Sequence, residues 1–164
     1  DKSIENNPDK PSEPESKGRT RLGRYTELIG HSEHLRADIE GDTCAPYDNP
    51  SRYRRTIYFI EPFYQLMRQT LWAESMVAGC EQEWTGHVDD YIHVHVVPPA
   101  NKALLDKSYV YTEENGMEAT WLSCLTEAGK ARYRIVDPEV IVHVLASDER
   151  YRGLVKYLNE RYYR

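Results

Sequence analysis

One stretch constrains this chain more than any other: residues 61–79, EPFYQLMRQTLWAESMVAG. Pro62 suits the first position of a helix, where a missing N–H leaves no bond unmade. Gly79 suits the position just past a helix end. Between them lie good helix formers and no breaker. Phe63, Leu66, Met67, Thr70, Leu71, Val77 and Ala78 recur at helical spacing and form one apolar face, with Glu74 at its edge. The spacing predicts an amphipathic helix laid on a core. A second stripe runs through Tyr64 or Gln65, Arg68, Trp72 and Ser75. It sets an amide, a guanidinium and aromatic rings three and four residues apart. Such a stripe can grip a phosphate or a partner, and a solvated helix edge has the same composition.

The best strand is Asp90-Tyr-Ile-His-Val-His-Val-Val97, bounded by two aspartates before and two prolines after. Ile92, Val94 and Val96 share one face; Tyr91, His93, His95 and Val97 share the other. A strong helix followed by a strong strand predicts an α/β domain, a mixed sheet with flanking helices. The remaining elements are weaker. Residues 19–29 read as a short strand with alternating arginines, interrupted by Gly23. Residues 31–50 read as a long polar loop with one helical turn near 33–38. Residues 100–105 make a short turn of helix, and 118–128 a helix with Trp121, Leu122 and Leu125 inward. Asp137-Pro138 opens a segment, 139–145, that fits strand or helix equally. Residues 148–163 read as a terminal helix burying Leu154, Val155, Leu158 and Tyr162.

Residues 1–18 hold three prolines, five acids, three lysines and no aromatic ring, which predicts a disordered acidic tail before a single domain at 19–164. The chain has 164 residues, 40 % of them hydrophobic, enough for a core. Its net charge of −6 gives no bulk support to nucleic-acid binding. The thirteen tyrosines against two phenylalanines favour half-buried rings with one polar end. Cys44, Cys80 and Cys124 are odd in number and widely spaced, which argues against a disulfide framework and for a reducing, cytoplasmic setting. No apolar run approaches membrane-spanning length.

Candidate chemistry is sparse. His93 and His95 sit on one strand face, roughly 6–7 Å apart by strand rise. A His-x-His pair can hold a metal when a third ligand joins it. Val96, Val97, Pro98 and Pro99 follow instead of a carboxylate, so two histidines packed beneath a helix is the competing reading. No glycine-rich phosphate loop and no Gly-x-Ser-x-Gly elbow is present. Arg52, Arg54 and Arg55, interleaved with Tyr53 and Tyr58, form the densest local patch for phosphate.

Several pieces in order carry a resemblance: Arg24-Tyr-Thr-Glu27, a polar loop with Cys44, Tyr64-Gln-Leu-Met-Arg68, Leu71-Trp-Ala-Glu74, a valine-rich strand before Pro98 and Asn101, Thr120-Trp121 with Leu125, and Tyr157-Leu-Asn-Glu-Arg-Tyr162. Over about residues 20–163 this resembles the C-terminal half of PD-(D/E)xK nuclease-like proteins, the restriction-endonuclease-like group. The resemblance implies a partial restriction-endonuclease-like core and Mg²⁺-dependent phosphodiester cleavage. In that family a strand carries Glu-x-Lys ahead of Tyr-Thr-Glu; the matching positions here are Leu22, Gly23 and Arg24. Arginine cannot serve as a base, and ion binding for cleavage needs carboxylate oxygens. The resemblance therefore implies a degenerate homologue, or part of a longer protein whose other half brings the catalytic aspartate. Arg24, Glu27, Gln65 and Arg68 match positions around the family's site, with Arg52, Arg54 and Arg55 as further phosphate contacts. The expected partner is DNA through its phosphates; a protein partner or a homodimer is the alternative, and a His93/His95 metal enzyme the third.

Overall fold

The computed structural model describes residues 17–39, 56–79 and 88–162. In chain order these form α1 (Lys17–His31), α2 (Phe63–Val77), β1 (His93–Val96), α3 (Lys102–Leu105), α4 (Met117–Ser123), α5 (Glu127–Arg132), β2 (Tyr133–Val136), α6 (Pro138–Ala146) and α7 (Arg152–Tyr162). Short 3-10 turns at Ile57–Phe59 and Glu149–Tyr151 precede α2 and α7. The class is α/β, as expected. The described sheet is two parallel strands rather than a mixed sheet, with His93 opposite Tyr133 and Val96 opposite Val136.

The central helix forms as its sequence predicts, with two adjustments. Pro62 caps α2 from just outside, and its carbonyl accepts from the Leu66 N–H at 3.2 Å. Gly79 closes the other end at φ +70°, a left-handed conformation that suits glycine. The buried face is Phe63, Tyr64, Leu66, Met67, Thr70, Leu71 and Met76. Tyr64 therefore belongs to the core rather than to the polar stripe, and Met76 takes the place expected of Val77 and Ala78.

The core gathers on the inner face of α2. Tyr58, Phe63, Tyr109, Trp121 and Tyr133 meet there, with Phe63 and Tyr109 edge to face at 4.6 Å between ring centres. Phe63 stacks on Trp121 at 6.4 Å, and Tyr133 meets Trp121 at the same separation. Tyr58 spans the middle of this cluster; its hydroxyl lies 2.8 Å from the carbonyls of both Arg36 and Cys124. Such aromatic pairs contribute roughly 0.5–1.5 kcal/mol each beyond the area they bury.

Four expectations are overturned. Residues 19–29 are helix, not strand: Leu22, Tyr25, Thr26 and Ile29 recur at three, four and seven residues, a helical period, and Gly23 costs a helix only about 1 kcal/mol. This helix starts inside the stretch assigned to the tail, at Lys17. Residues 118–128 are two helices, broken at Cys124–Thr126, because the backbone there bonds to another segment. The Arg36 N–H donates to the Cys124 carbonyl at 2.8 Å and the Thr126 N–H to the His34 carbonyl at 3.0 Å. The same pairing makes 34–36 extended instead of helical, with Leu35 buried opposite Leu125. Finally, the terminal helix buries little. Leu154 is exposed, Val155 and Leu158 are half-buried, and among the described side chains neither α6 nor α7 adds a residue to the core; the Tyr162 side chain lies outside them.

Segment 139–145, open between strand and helix, is helix α6. Asp137 caps it by accepting the Glu139 N–H at 2.9 Å, and Pro138 occupies the first turn. Strand β2 has no counterpart in the sequence reading; its four residues are too few to show a period.

Candidate functional site

Two clefts adjoin along the α1–α2 contact and share Leu28, Leu71 and Ser75 in their walls. The first, of about 470 Å³, is lined by Tyr25 and Leu28 of α1 and by Gln65, Arg68, Gln69, Leu71, Trp72 and Ser75 of α2. Two of the predicted residues, Gln65 and Arg68, come together here. Arg68 extends over the Tyr64 ring at 5.5 Å and reaches Gln65 Oε1 at 3.5 Å, while Gln65 Nε2 donates to Glu61 at 3.3 Å. Tyr25 meets Tyr64 edge to face at 5.8 Å and so ties α1 to the base of the stripe. Arg24 and Glu27 lie on the exposed side of α1 and do not line this cleft. Leu22 and Gly23 stand on a helix, so the strand that the resemblance requires for Glu-x-Lys is not formed there. Arg52, Arg54 and Arg55 fall outside the described residues.

The second cleft, of about 450 Å³, holds the densest polar network among the described residues. Its hub is Glu74. Glu74 Oε1 accepts from Ser32 Oγ at 2.8 Å, from the His34 N–H at 2.9 Å and from His34 Nδ1 at 2.8 Å. A carboxylate only accepts, so Nδ1 carries its proton toward Glu74, and the Tyr91 hydroxyl oxygen lies 2.8 Å from the same nitrogen. The His34 side chain is 9 % exposed and that of Glu74 18 %. Tyr91 is held in turn: its backbone N–H donates to Asp90 at 2.8 Å, and Arg132 bonds Asp90 at 3.0 Å while lying 5.9 Å from the Tyr91 ring centre. The Tyr91 N–H, with Arg132 beside it, holds the Asp90 carboxyl below its ordinary range. Burial, reinforced by the negative charge of Glu74, pushes the Tyr91 phenol well above its usual value. This is not a Ser-His-acid triad, because Ser32 Oγ bonds the carboxylate instead of the imidazole.

Nothing in sequence spacing announces this network: Glu74 and Tyr91 lie 40 and 57 residues from His34. The one trace is Glu74 at the border of an apolar face, where a carboxylate needs partners to be tolerated.

The third candidate pair, His93 and His95, faces inward from β1, while Val94 and Val96 face out. Thr70 Oγ1 lies 3.1 Å from His93 Nδ1, and Gln69 Oε1 lies 3.0 Å from His93 Nε2. His95 Nδ1 lies 3.1 Å from the Tyr133 hydroxyl. Burial, with His95 adding a smaller like-charge effect, lowers His93 to about 4; burial alone lowers His95. These are histidines packed against α2 and β2. Among the described residues no three His, Cys, Asp or Glu side chains are grouped to hold an ion. Cys124 is buried, its thiol pushed up to about 12 by burial, and packs as a small apolar group. Cys44 and Cys80 fall outside the described residues.

A helix-rich α/β fold with two polar clefts along its central helix defines the class. The chain belongs to the restriction-endonuclease-related family described as "restriction endonuclease associating with ARP", whose model matches residues 4–163. No curated protein and no solved structure matches the chain. Among the described residues no helix is long and apolar enough to cross a membrane.

Proposed function

We propose that this chain is a nuclease-family domain that grips DNA through phosphate contacts and does not itself supply the cutting chemistry. The observation that carries this reading is the meeting of Gln65 and Arg68 in the α1–α2 cleft, on a chain of the restriction-endonuclease-related family. Among the described residues Arg68 has no carboxylate partner; an aromatic ring and an amide hold its guanidinium. A guanidinium in that setting presents its donor fork to an incoming phosphate. Arg24, exposed on α1, and the sequence cluster Arg52, Arg54 and Arg55 add cations to the same function. Glu27 stays on the solvent side of α1.

The test pairs a cleavage assay with a binding titration. Linear and circular DNA are incubated with Mg²⁺ or Mn²⁺, and affinity is followed from low to moderate salt. Binding that weakens linearly in log–log form as salt rises, without cleavage, is the expected result. Cleavage that disappears in Arg24→Ala would overturn the non-catalytic part. Absence of binding at low ionic strength would overturn the whole reading.

A protein-interaction module is the second reading. The outer face of β1 leaves Ile92, Val94 and Val96 exposed, and α6 leaves Val140 and Val144 exposed. The family description also names an association with ARP. A stable homodimer or hetero-complex in sedimentation, with no DNA affinity, would favour this reading over the first.

A further inference from the structure

Trp72 is 57 % exposed, although it belongs to the helix that organises the core. It stands one turn beyond Arg68 and so lies beside it on the helix surface. Tyr25 closes the cleft from α1, and Gln65 and Gln69 complete the wall. The Gln69 carbonyl is fixed on His93 Nε2 at 3.0 Å, which anchors that amide at the cleft edge. The cleft thus combines an indole, one cation and two amides. Among the described residues Arg68 is the one charged side chain in its lining, and no described carboxylate lines it. The neighbouring cleft, by contrast, contains Glu33, Glu74, Asp89 and Asp90.

We infer that the α1–α2 cleft binds an unpaired nucleotide, its base stacked on Trp72, its phosphate on Arg68 and its edge against the Gln65 and Gln69 amides. This inference rests on the DNA-contact reading and specifies its substrate class. An indole face offers a stacking platform that tolerates any base, because every base has a π-face. A base within a duplex is already stacked on both sides and cannot use that platform. A single strand, or an unpaired end, is therefore the form of DNA that the cleft distinguishes. The amides add hydrogen-bonding donors and acceptors without charge, which suits base edges.

The experiment uses the full chain and fluorescence anisotropy at low salt, with a labelled oligothymidine and a labelled duplex of equal length. Wild type, Trp72→Ala, Trp72→Phe and Arg68→Ala are compared, and thermal melts confirm that each variant folds. The expected result is tighter binding of the single strand. Trp72→Ala loses about tenfold or more of that affinity with duplex binding unchanged, and Trp72→Phe recovers most of the loss. Arg68→Ala weakens both DNA forms and lowers the salt slope by about one. Equal affinity for both forms, with Trp72→Ala unchanged on either, overturns the stacking inference and leaves the DNA-contact reading standing. No binding of either form at low salt overturns the underlying reading, and the inference with it.

Discussion

The two clefts share Leu28, Leu71 and Ser75 and differ in what their polar groups face. In the Glu74 cleft the polar atoms face one another: Ser32, the His34 backbone and the His34 ring all converge on one carboxylate oxygen. In the Trp72 cleft the bonds of Gln65 and Arg68 are long, at 3.3 and 3.5 Å, and the Trp72 ring is largely exposed. A closed network rigidifies what it joins, here the α1 exit to the last turn of α2. An open set of groups retains its capacity for something else. The Glu74 cluster thus has the geometry of a staple, and the stripe beside it keeps polar groups open to solvent.

That contrast orders the expected effects of substitution. Glu74→Ala leaves the His34 N–H, its ring N–H and Ser32 Oγ without their acceptor. It should cost about 3 kcal/mol, since removing one partner leaves buried donors unmatched; chemical denaturation with an unchanged m-value is the check. A loss under 1 kcal/mol would mean that the network does not hold the fold. Gly129→Ala attacks the same region from behind, because an added Cβ would press into the His34 carbonyl. With backbone on the other side and little room to yield, about 2 kcal/mol of destabilisation is expected, read as a lowered Tm.

Acid should act where β1 packs on α2. His93 is lowered from 6.5 to about 4, first by burial and then by His95. Between those values the unfolded chain binds the proton that the folded chain refuses, so stability falls as pH drops from 6.5 toward 4. His93→Gln should flatten Tm across that window relative to wild type, and an unchanged profile would show that other groups dominate it. The smallest effects are expected in the open cleft. Trp72→Ala and Arg68→Ala should each shift folding stability by less than about 0.5 kcal/mol, as surface changes do. A large loss at Trp72 would make it a packing residue and remove the contrast between the clefts.

The sequence exposed some of this and concealed the rest for physical reasons. Helix α2 was legible because Pro62, Gly79 and a long apolar period all agree on it. The Gln65–Arg68–Trp72 stripe was legible for the same reason, since helical spacing fixes who shares a face. Helix α1 was misread because alternating arginines mimic a two-residue period, while Tyr25, Thr26 and Ile29 set the true one through burial. The break at Cys124–Thr126 depends on hydrogen bonds to 34–36, and no local signal encodes a partner that far away. The Glu74 network was hidden likewise; its members come from α2, the turn after α1 and the approach to β1.

The parallel pairing of β1 with β2 carries an expectation about the order of assembly. Parallel strands cannot be joined by a tight turn, so the chain must run out and return before His93 meets Tyr133. Helices α3, α4 and α5 fill that excursion, with Tyr109, Met117 and Trp121 seating on α2 along the way. Closing so long an excursion is an entropic debt met before any rung forms, which places the sheet late on the folding route. Substitution of Val94 should then speed unfolding and leave the folding rate nearly untouched, whereas Trp121→Phe should slow folding itself. Those two rates test whether the strand most evident in the sequence is laid down last and the aromatic seat beneath α2 first.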